Sequence, residues 1–320
     1  MLERFSKSYR IINKEKFVEK LINFSVDQDY FILLNSNNNS DKYDLLCGYG
    51  VKSFIKSSEN SLTKLDNFFE FKKDWLFGYM TYDLRNEIEV LNDDNIDFIN
   101  MPNLYFFQPE IVWFVKGKNV TGLSFDKDLI DNDWKKFNEI SKKEKTKNSS
   151  IVKLNLRNSK SEYINKVNKI KERIFRGDCY EMNFCFDLFS EYDEINPYDT
   201  YVKLNNYTKS PMSSFLKVND LFLISSSPER FLSKNGEDII SQPIKGTAKR
   251  GDSPEEDKKN INELLSSPKE LSENHMIVDL VRNDLSRIAK KGSVKVKSLN
   301  TLKTFKSCLL YTSPSPRDTG

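Results

Sequence analysis

The sequence predicts an α+β fold, with strands and helices in separate stretches of the chain. Three observations carry this. Short aromatic-rich runs closed by polar turns fill the first third. Helical patterns with recognisable caps come in their own blocks. Strand–turn–strand units stand beside one another without the strand–helix–strand alternation of a parallel sheet.

In order, "DYFILLNS" is an apolar strand ending in the loop "NSNNNSDKYD". "WLFGYMTYDLRNEIEVL" passes from aromatic strand to a helical pattern after Asp83. "MPNLYFFQPEIVWFVKGKNVTGLSF" reads as a hairpin turning at Lys116–Asn119. "DKDLIDNDWKKFNEISKKEKTKNSS" reads as a helix fading into a linker, with a boundary near residue 150. Beyond it, Ile164, Val167, Ile170 and Ile174 recur at helical spacing, with Ser159 and Glu162 as a capping box and Gly177 past the end. "CYEMNFCFDL" alternates with a period of two and predicts a strand whose apolar face joins the core. "LFLISSSPERFLSKNGEDIISQPIKG" predicts strand, turn, strand, with Asn235-Gly236 at the turn. Ser267, Pro268 and Glu270 open a last helix that two lysines and Gly292 close. "GDSPEED" reads as an exposed loop leading into a helix.

The bulk numbers narrow the function. The 320 residues suffice for one large domain or two ordinary ones. Fifty basic and 47 acidic residues are interspersed, leaving a formal charge of +3 and no reason to invoke nucleic acid. No apolar run reaches the length of a membrane span, and no apolar leader opens the chain. Cys47, Cys179, Cys185 and Cys308 form no C-x-x-C pair, so reduced core thiols are expected, in a soluble cytoplasmic protein.

Three charged residues are candidates for chemistry. Lys245 lies between Pro243-Ile244 and Gly246-Thr247, with Lys249 and Arg250 following. Glu229 follows Pro228 at the start of the hairpin. With Asn235-Gly236 as the two turn residues, Glu229 falls opposite Gln242. It then shares one end of the hairpin with Lys245, roughly 10 Å away along the strand. Strict alternation sends the two to opposite faces, so a bulge is needed for both to meet one ligand. Glu273 lies one turn into the last helix, beside a face marked by Ile277, Leu280, Asp284 and Ile288. Taken alone, these residues are equally readable as solvated charge, a surface ion pair with Arg230, and a salt-bridged structural acid. His275 is the sole histidine, so there is no histidine metal cluster.

A resemblance separates these readings. "GDCYEMNFC", "SSPERFL", "PIKGTAKRG" and "SENHMIVDLVRNDLSRIAKKGSVKV", with "WLFGYMTYDL" near the amino terminus, together resemble the chorismate-utilising enzymes. The likeness runs from about residue 30 to Ser307. It implies two stacked antiparallel β-sheets flanked by helices, as in the large subunit of anthranilate synthase. It also implies chorismate as substrate and Mg²⁺ as cofactor. Anthranilate and isochorismate enzymes resemble "PIAGT", whereas aminodeoxychorismate synthases resemble "PIKGT", the form present here. The implied reaction is amination of chorismate to 4-amino-4-deoxychorismate, on the way to 4-aminobenzoate and folate. The implied partner is a glutamine amidotransferase that supplies ammonia. The alternatives are an anthranilate synthase component and a non-catalytic fragment.

The same resemblance assigns Lys245 as nucleophile, Glu229 as general acid, Gly246 and Thr247 to substrate binding, and Glu273 to Mg²⁺. It sets Ser36, in "LLNS", where relatives hold a tryptophan; a plain loop serine is the other reading. A lysine amine ordinarily titrates near 10.4, so a neutral amine at pH 7 implies an environment costing its charge about 4 kcal/mol. Burial beside Pro243 and Ile244 is expected to supply this, helped by Lys249 and Arg250 if they point inward.

The family continues past Ser307 with a histidine-containing segment, a turn similar to GSITGAPK, an arginine and further glutamates for Mg²⁺. This sequence instead reads "CLLYTSPSPRDTG". The expected organisation is therefore 1–150 as amino-terminal region, 151–307 as chorismate-binding catalytic region, and 308–320 as a foreign tail. The fold is expected to be incomplete at its C-terminus, and the chain as written inactive and prone to aggregate through exposed sheet edges.

Overall fold

A computed structural model describes residues 3–40, 42–89, 91, 96–140, 152–191, 195–299 and 301–312. The first stretch runs β1 (Phe5–Arg10), α1 (Lys14–Phe24), β2 (Tyr30–Asn35), β3 (Leu45–Tyr49), β4 (Ser53–Ser57), α2 (Ser61–Lys72), β5 (Phe77–Met80), β6 (Leu104–Gln108), β7 (Ile111–Lys116), β8 (Asn119–Ser124) and α3 (Lys127–Glu139). Next come β9 (Asn155–Leu156), α4 (Lys160–Phe175), β10 (Leu188–Phe189), α5 (Pro197–Thr208), β11 (Met212–Val218), β12 (Leu221–Ser227), β13 (Arg230–Asn235) and β14 (Asp238–Gln242). The last elements are β15 (Ile244–Lys249), α6 (Pro254–Ser266), α7 (Pro268–Ser286), β16 (Thr301–Thr304) and β17 (Cys308–Thr312). Met1–Lys143 and Tyr201–Gly320 form one compact unit, and Glu144–Thr200 a second. The expected boundary near residue 150 and its linker lie outside the described residues.

Every described strand pair is antiparallel, as the α+β reading requires. A seven-stranded sheet has the order β1-β8-β7-β3-β2-β11-β12, and a three-stranded sheet the order β4-β6-β5. Ile32, Val112, Leu216 and Val218 of the large sheet pack on Phe77, Tyr79, Tyr105 and Phe107 of the small one, so these two sheets are stacked. The opposite face of the large sheet is covered by helices. Phe24 of α1 and Phe137 of α3 meet edge to face, and Trp113 and Tyr49 lie against Phe137. A central strand covered on both faces is apolar throughout, which is why "YFILL" reads as an unbroken run.

Several expectations need correction. "MPNLYFFQPEIVWFVKGKNVTGLSF" holds three strands, not two. Gln108 ends β6 in the small sheet, and after Pro109 the chain enters β7 in the large one. Proline has no N–H to continue the ladder, so the chain changes sheet there. Only β7 and β8 form the hairpin, turning at Gly117 with φ +60°. After Met80 the chain makes a single 3-10 segment, Tyr82–Glu87, rather than a longer helix.

In the second unit the Ser159–Glu162 capping box on α4 is present, and Gly177 follows at φ +81°. "CYEMNFCFDL", however, is not a strand. Only Leu188 and Phe189 pair, with Leu156 and Asn155. The alternation sets an amphipathic extended segment, but a strand also needs a partner for its ladder. Nor is its apolar face core: Tyr180, Met182, Phe186 and Leu188 are exposed, and Tyr163 of α4 covers only Phe184 and Phe186. Cys185 is likewise exposed; of the four thiols only Cys47 lies in a core.

Candidate functional site

Of the candidate site residues, Glu229 lies just before β13 and Lys245, Gly246 and Thr247 lie in β15, whereas Glu273 is on α7 and Ser36 follows β2. Ser227 prepares the entry to β13: its hydroxyl accepts the Glu229 N–H at 3.1 Å. The hairpin turns one residue later than expected. Asn235 faces Asp238, so Gly236 and Glu237 form the turn, with Gly236 at φ +61°. A bulge between Arg230 and Ser233 then sets Arg230, not Glu229, opposite Gln242. Arg230 donates to Gln242 Oε1 at 2.9 Å, which directs it away from the ion pair with Glu229 considered above.

The bulge that the sequence argument needed is therefore present, and a second one matters as much. In β15, Ile244 faces Thr312 and Thr247 faces Leu310, so one extra residue is accommodated across Lys245 and Gly246. Gly246 has φ +78°, which a side chain would strain. Glu229 Oε1 accepts the Ile244 N–H at 3.1 Å. The carboxylate thus closes onto the backbone next to Lys245. Pro243 is buried and Lys245 is half-buried, whereas Glu229 and Thr247 are exposed.

The basic residues after Lys245 do not turn inward. Lys249 pairs with Glu256 at 3.4 Å and is largely exposed. The Arg250 guanidinium meets both Asp257 carboxylate oxygens, at 2.8 and 2.7 Å, and donates to the Phe305 carbonyl at 2.7 Å. This holds the Asp257 carboxyl below its ordinary range. Gly251 is needed there, because a Cβ would lie 2.2 Å from the Asp257 nitrogen. "GDSPEED" is thus the anchored start of α6, capped by Ser253. Pairs so far apart in sequence as Arg250 and Phe305 carry no signal in composition or spacing.

α6 and α7 pack on β15 through a small core of Leu264 and Leu309, joined by Ala248, Ile261, Leu271 and Leu302. Leu309 belongs to β17, the middle strand of the sheet β15-β17-β16. The segment expected to be foreign thus includes a strand inside this fold; residues 313–320 lie outside the described residues. The buried side of α7 carries Asn274, Val278 and Leu285, while Leu280 and Ile288 are exposed, so the face marked in the sequence is rotated from the true one. Ser267 caps the Glu270 N–H at 3.4 Å, but the Glu270 carboxylate faces Lys269, so only half of the expected capping box is formed. The helix stops at Ser286, well before Gly292.

Glu273 is half-buried beside that face and pairs with Lys269 at 3.3 Å, which pushes the lysine up. Among the described residues, no three His, Cys, Asp or Glu side chains converge as a metal site. One carboxylate already held by an ammonium does not amount to a magnesium site. Ser36 closes the β2–β3 loop instead of lining a cavity among those described: its hydroxyl and its N–H both donate to the Asp44 carbonyl, at 3.2 and 3.0 Å.

Comparison with known proteins bears on this arrangement. The chorismate binding enzyme family matches residues 26–314. Aminodeoxychorismate synthase component 1 of Escherichia coli K12 is 37% identical over 147 residues, 46% of this chain and 32% of that protein. Anthranilate synthase component 1 of Lactococcus lactis is 29% identical over 249 residues, 74% of this chain and 54% of that one. The matched stretches thus span only a third to about half of these relatives' own length. The crystal structure of anthranilate synthase component I from Streptococcus pneumoniae superposes with a TM-score of 0.70 at 21% identity, covering 90% of this chain and 69% of that one. It supports the fold. No described helix is long and apolar enough to cross a membrane.

Proposed function

This chain belongs to the chorismate binding enzyme family, and we propose that within it the chain serves the amination of chorismate at C4. The supporting observation is the paired bulges at Arg230–Ser233 and Ile244–Thr247, with the Glu229 carboxylate bonded to the N–H beside Lys245. They bring the Glu229 carboxylate onto the backbone of the residue before Lys245, where Gly246 takes a positive φ, and this supports a joint role for the two side chains.

The chemistry follows from the need for retention at C4. The Lys245 amine adds to C2, the ring double bond shifts, and the C4 hydroxyl leaves as water with a proton from Glu229. Ammonia then adds at C4, the double bond shifts back, and the lysine nitrogen leaves C2. Two allylic shifts preserve configuration where one direct displacement would invert it, and one hard step becomes two easier ones. Ammonia would come from a glutamine amidotransferase. Thr247 would bond a substrate oxygen. Magnesium belongs to the proposal only through the resemblance, under which Glu273 would exchange Lys269 for the ion as one ligand among others, and no step here passes through it.

Formation of anthranilate is the second reading, because the anthranilate synthase of Lactococcus lactis aligns over 249 residues, about as far as an aminodeoxychorismate synthase component 1 does at 248. The product decides. A chain of the relatives' full length containing these residues is incubated with chorismate and ammonium, and the product is identified by mass spectrometry. 4-Amino-4-deoxychorismate is expected, with at least about a hundredfold loss in Lys245→Met. Anthranilate would replace the first reading with the second. Undiminished amination by Lys245→Met would remove the lysine from the mechanism.

A further inference from the structure

A hollow of about 290 Å³ opens between α1, α3 and the link from β1 to α1. It shares no residue with the candidate catalytic corner. Its walls are of two kinds. Ile11, Ile12, Phe17 and Trp134 supply apolar surface, while Arg10, Lys16 and Lys20 supply positive charge. No described lining residue is an aspartate or glutamate.

This separation of charge is built into α1. Lys16 and Lys20 stand one turn apart, and so do Glu15 and Glu19, so each pair forms a stripe along the helix. The basic stripe lines this hollow, and the acidic stripe lines a different one beside α5. On α3, Asp131 receives Lys7 and Tyr9, and Asp133 receives Tyr49 and Lys136. Glu139 follows the lining Asn138 but does not line the hollow itself. Residues 141–151, outside the described residues, hold four lysines against one glutamate. Lys7, Lys14 and Lys136 each have a carboxylate partner. Arg10, Lys16 and Lys20 have no ion pair or side-chain hydrogen bond among the described residues.

The apolar wall is held firmly. Trp134 is half-buried and stacks on Tyr9 at 4.2 Å, and Phe17 is buried edge to face against Phe137. Ile12, by contrast, is 97% exposed, and a ligand that covers it removes apolar surface from water. Solvated lysines need no aromatic wall, and an apolar wall needs no unpaired cations. The combination suits a ligand with an apolar body and an anionic head. The volume falls just under the range of about 300–1,000 Å³ usual for drug-sized ligands, so the ligand is small.

We propose that this hollow binds a small organic acid, its carboxylate among Arg10, Lys16 and Lys20 and its apolar body against Ile12 and Trp134. Aromatic acids and short fatty acids share this chemistry, and the two arms of the test tell them apart. The inference stands on these residues and does not depend on the reaction proposed above.

The full chain is titrated calorimetrically with 2-naphthoate and, separately, with octanoate at low ionic strength. One-site binding of at least one probe is expected, and the tighter probe identifies the source. The matching neutral alcohol should bind at least about tenfold more weakly, because it lacks the charge. Acetate, which has the charge without the body, should show no binding. Lys16→Gln combined with Lys20→Gln should weaken the acid about tenfold, and Ile12→Ser about fivefold. Lys249→Gln, which changes a lysine outside the hollow, should stay within about twofold of the parent. Circular dichroism and melting temperature establish that each variant is folded. Ile12→Ser, a change at an exposed position, carries the test if the paired lysine variant is not. Failure of the folded parent to bind either acid overturns the proposal. So does an alcohol that binds as tightly as its acid, or an affinity that a folded hollow variant leaves unchanged.

Discussion

The stacked sheets of the first region and the small sheet that carries Lys245 solve the problem of stability in different ways. In the first, Phe31, Phe107 and Phe215 are fully buried, and rings from both sheets and three helices touch one another. In the second, fully buried apolar residues are few, and Leu264 and Leu309 are joined mainly by half-covered neighbours. What holds the second region is polar and specific: Arg250 on Asp257 and Phe305, Glu229 on Ile244, and two bulges. Area buried resists unfolding but leaves no surface for a ligand. A region built on backbone contacts keeps its side chains available at the cost of tolerance to small changes.

The largest expected effect therefore lies far from the site. Phe215 is fully buried among Phe31, Tyr201 and Phe222. Phe215→Ala should cost about 3–5 kcal/mol in denaturant unfolding, from lost transfer energy and the cavity left behind. A loss below about 1 kcal/mol would mean that the sheet collapses easily around the void, and the contrast drawn here would fail.

Sequence patterns made the first region legible because its signals are local. The apolar run of β2 and the Gly117 turn between β7 and β8 each depend on a few neighbouring residues, as does the Ser159 cap in the second unit. They hid what depends on partners. "CYEMNFCFDL" has the pattern of a strand but little to pair with. Glu229, Lys245 and Gly246 could be named from motifs, yet the register that brings Glu229 to Ile244 turns on two single-residue insertions that alternation does not encode. Glu273 is half-buried on α7, and its pairing with Lys269, one turn away on the same helix, competes with the metal role. The hollow between α1 and α3 gathers residues from positions 10 to 138, so no window of sequence contains it.

A smaller effect sharpens the contrast from the other side. Gly251 contributes no side chain to any core, yet a methyl group there would press on the backbone of Asp257. Gly251→Ala should cost about 1–3 kcal/mol, as overpacking does, because neither partner is a flexible side chain. Hydrogen exchange should localise the loss to α6 and β15, with the large sheet still protected. Equal loosening of both regions would show that they unfold together and that the polar anchoring is not a separate device.

The smallest effect tests whether the first region also relies on a polar anchor. Asp74 receives Arg4 Nε at 2.9 Å, Arg4 Nη2 at 2.7 Å and Gln108 Nε2 at 2.7 Å. Arg4 also reaches the Pro109 and Glu110 carbonyls, so one guanidinium ties the start of β1 to the crossing between the stacked sheets. Burial alone would push Asp74 up; the Arg4 and Gln108 bonds outweigh it and hold the carboxyl below 3.8. A carboxyl lowered in the folded state binds its proton less readily than in the unfolded chain. Its contribution is therefore complete above pH 3.8 and disappears as the pH falls through the depressed folded value. Asp74→Asn should cost about 1 kcal/mol near pH 6, and the gap between parent and variant should narrow steadily below pH 3.8. A gap that stays constant down to pH 2.5 or so would mean that the ionised carboxylate contributes nothing beyond its shape, since linkage requires a pH-dependent difference wherever the folded and unfolded values diverge.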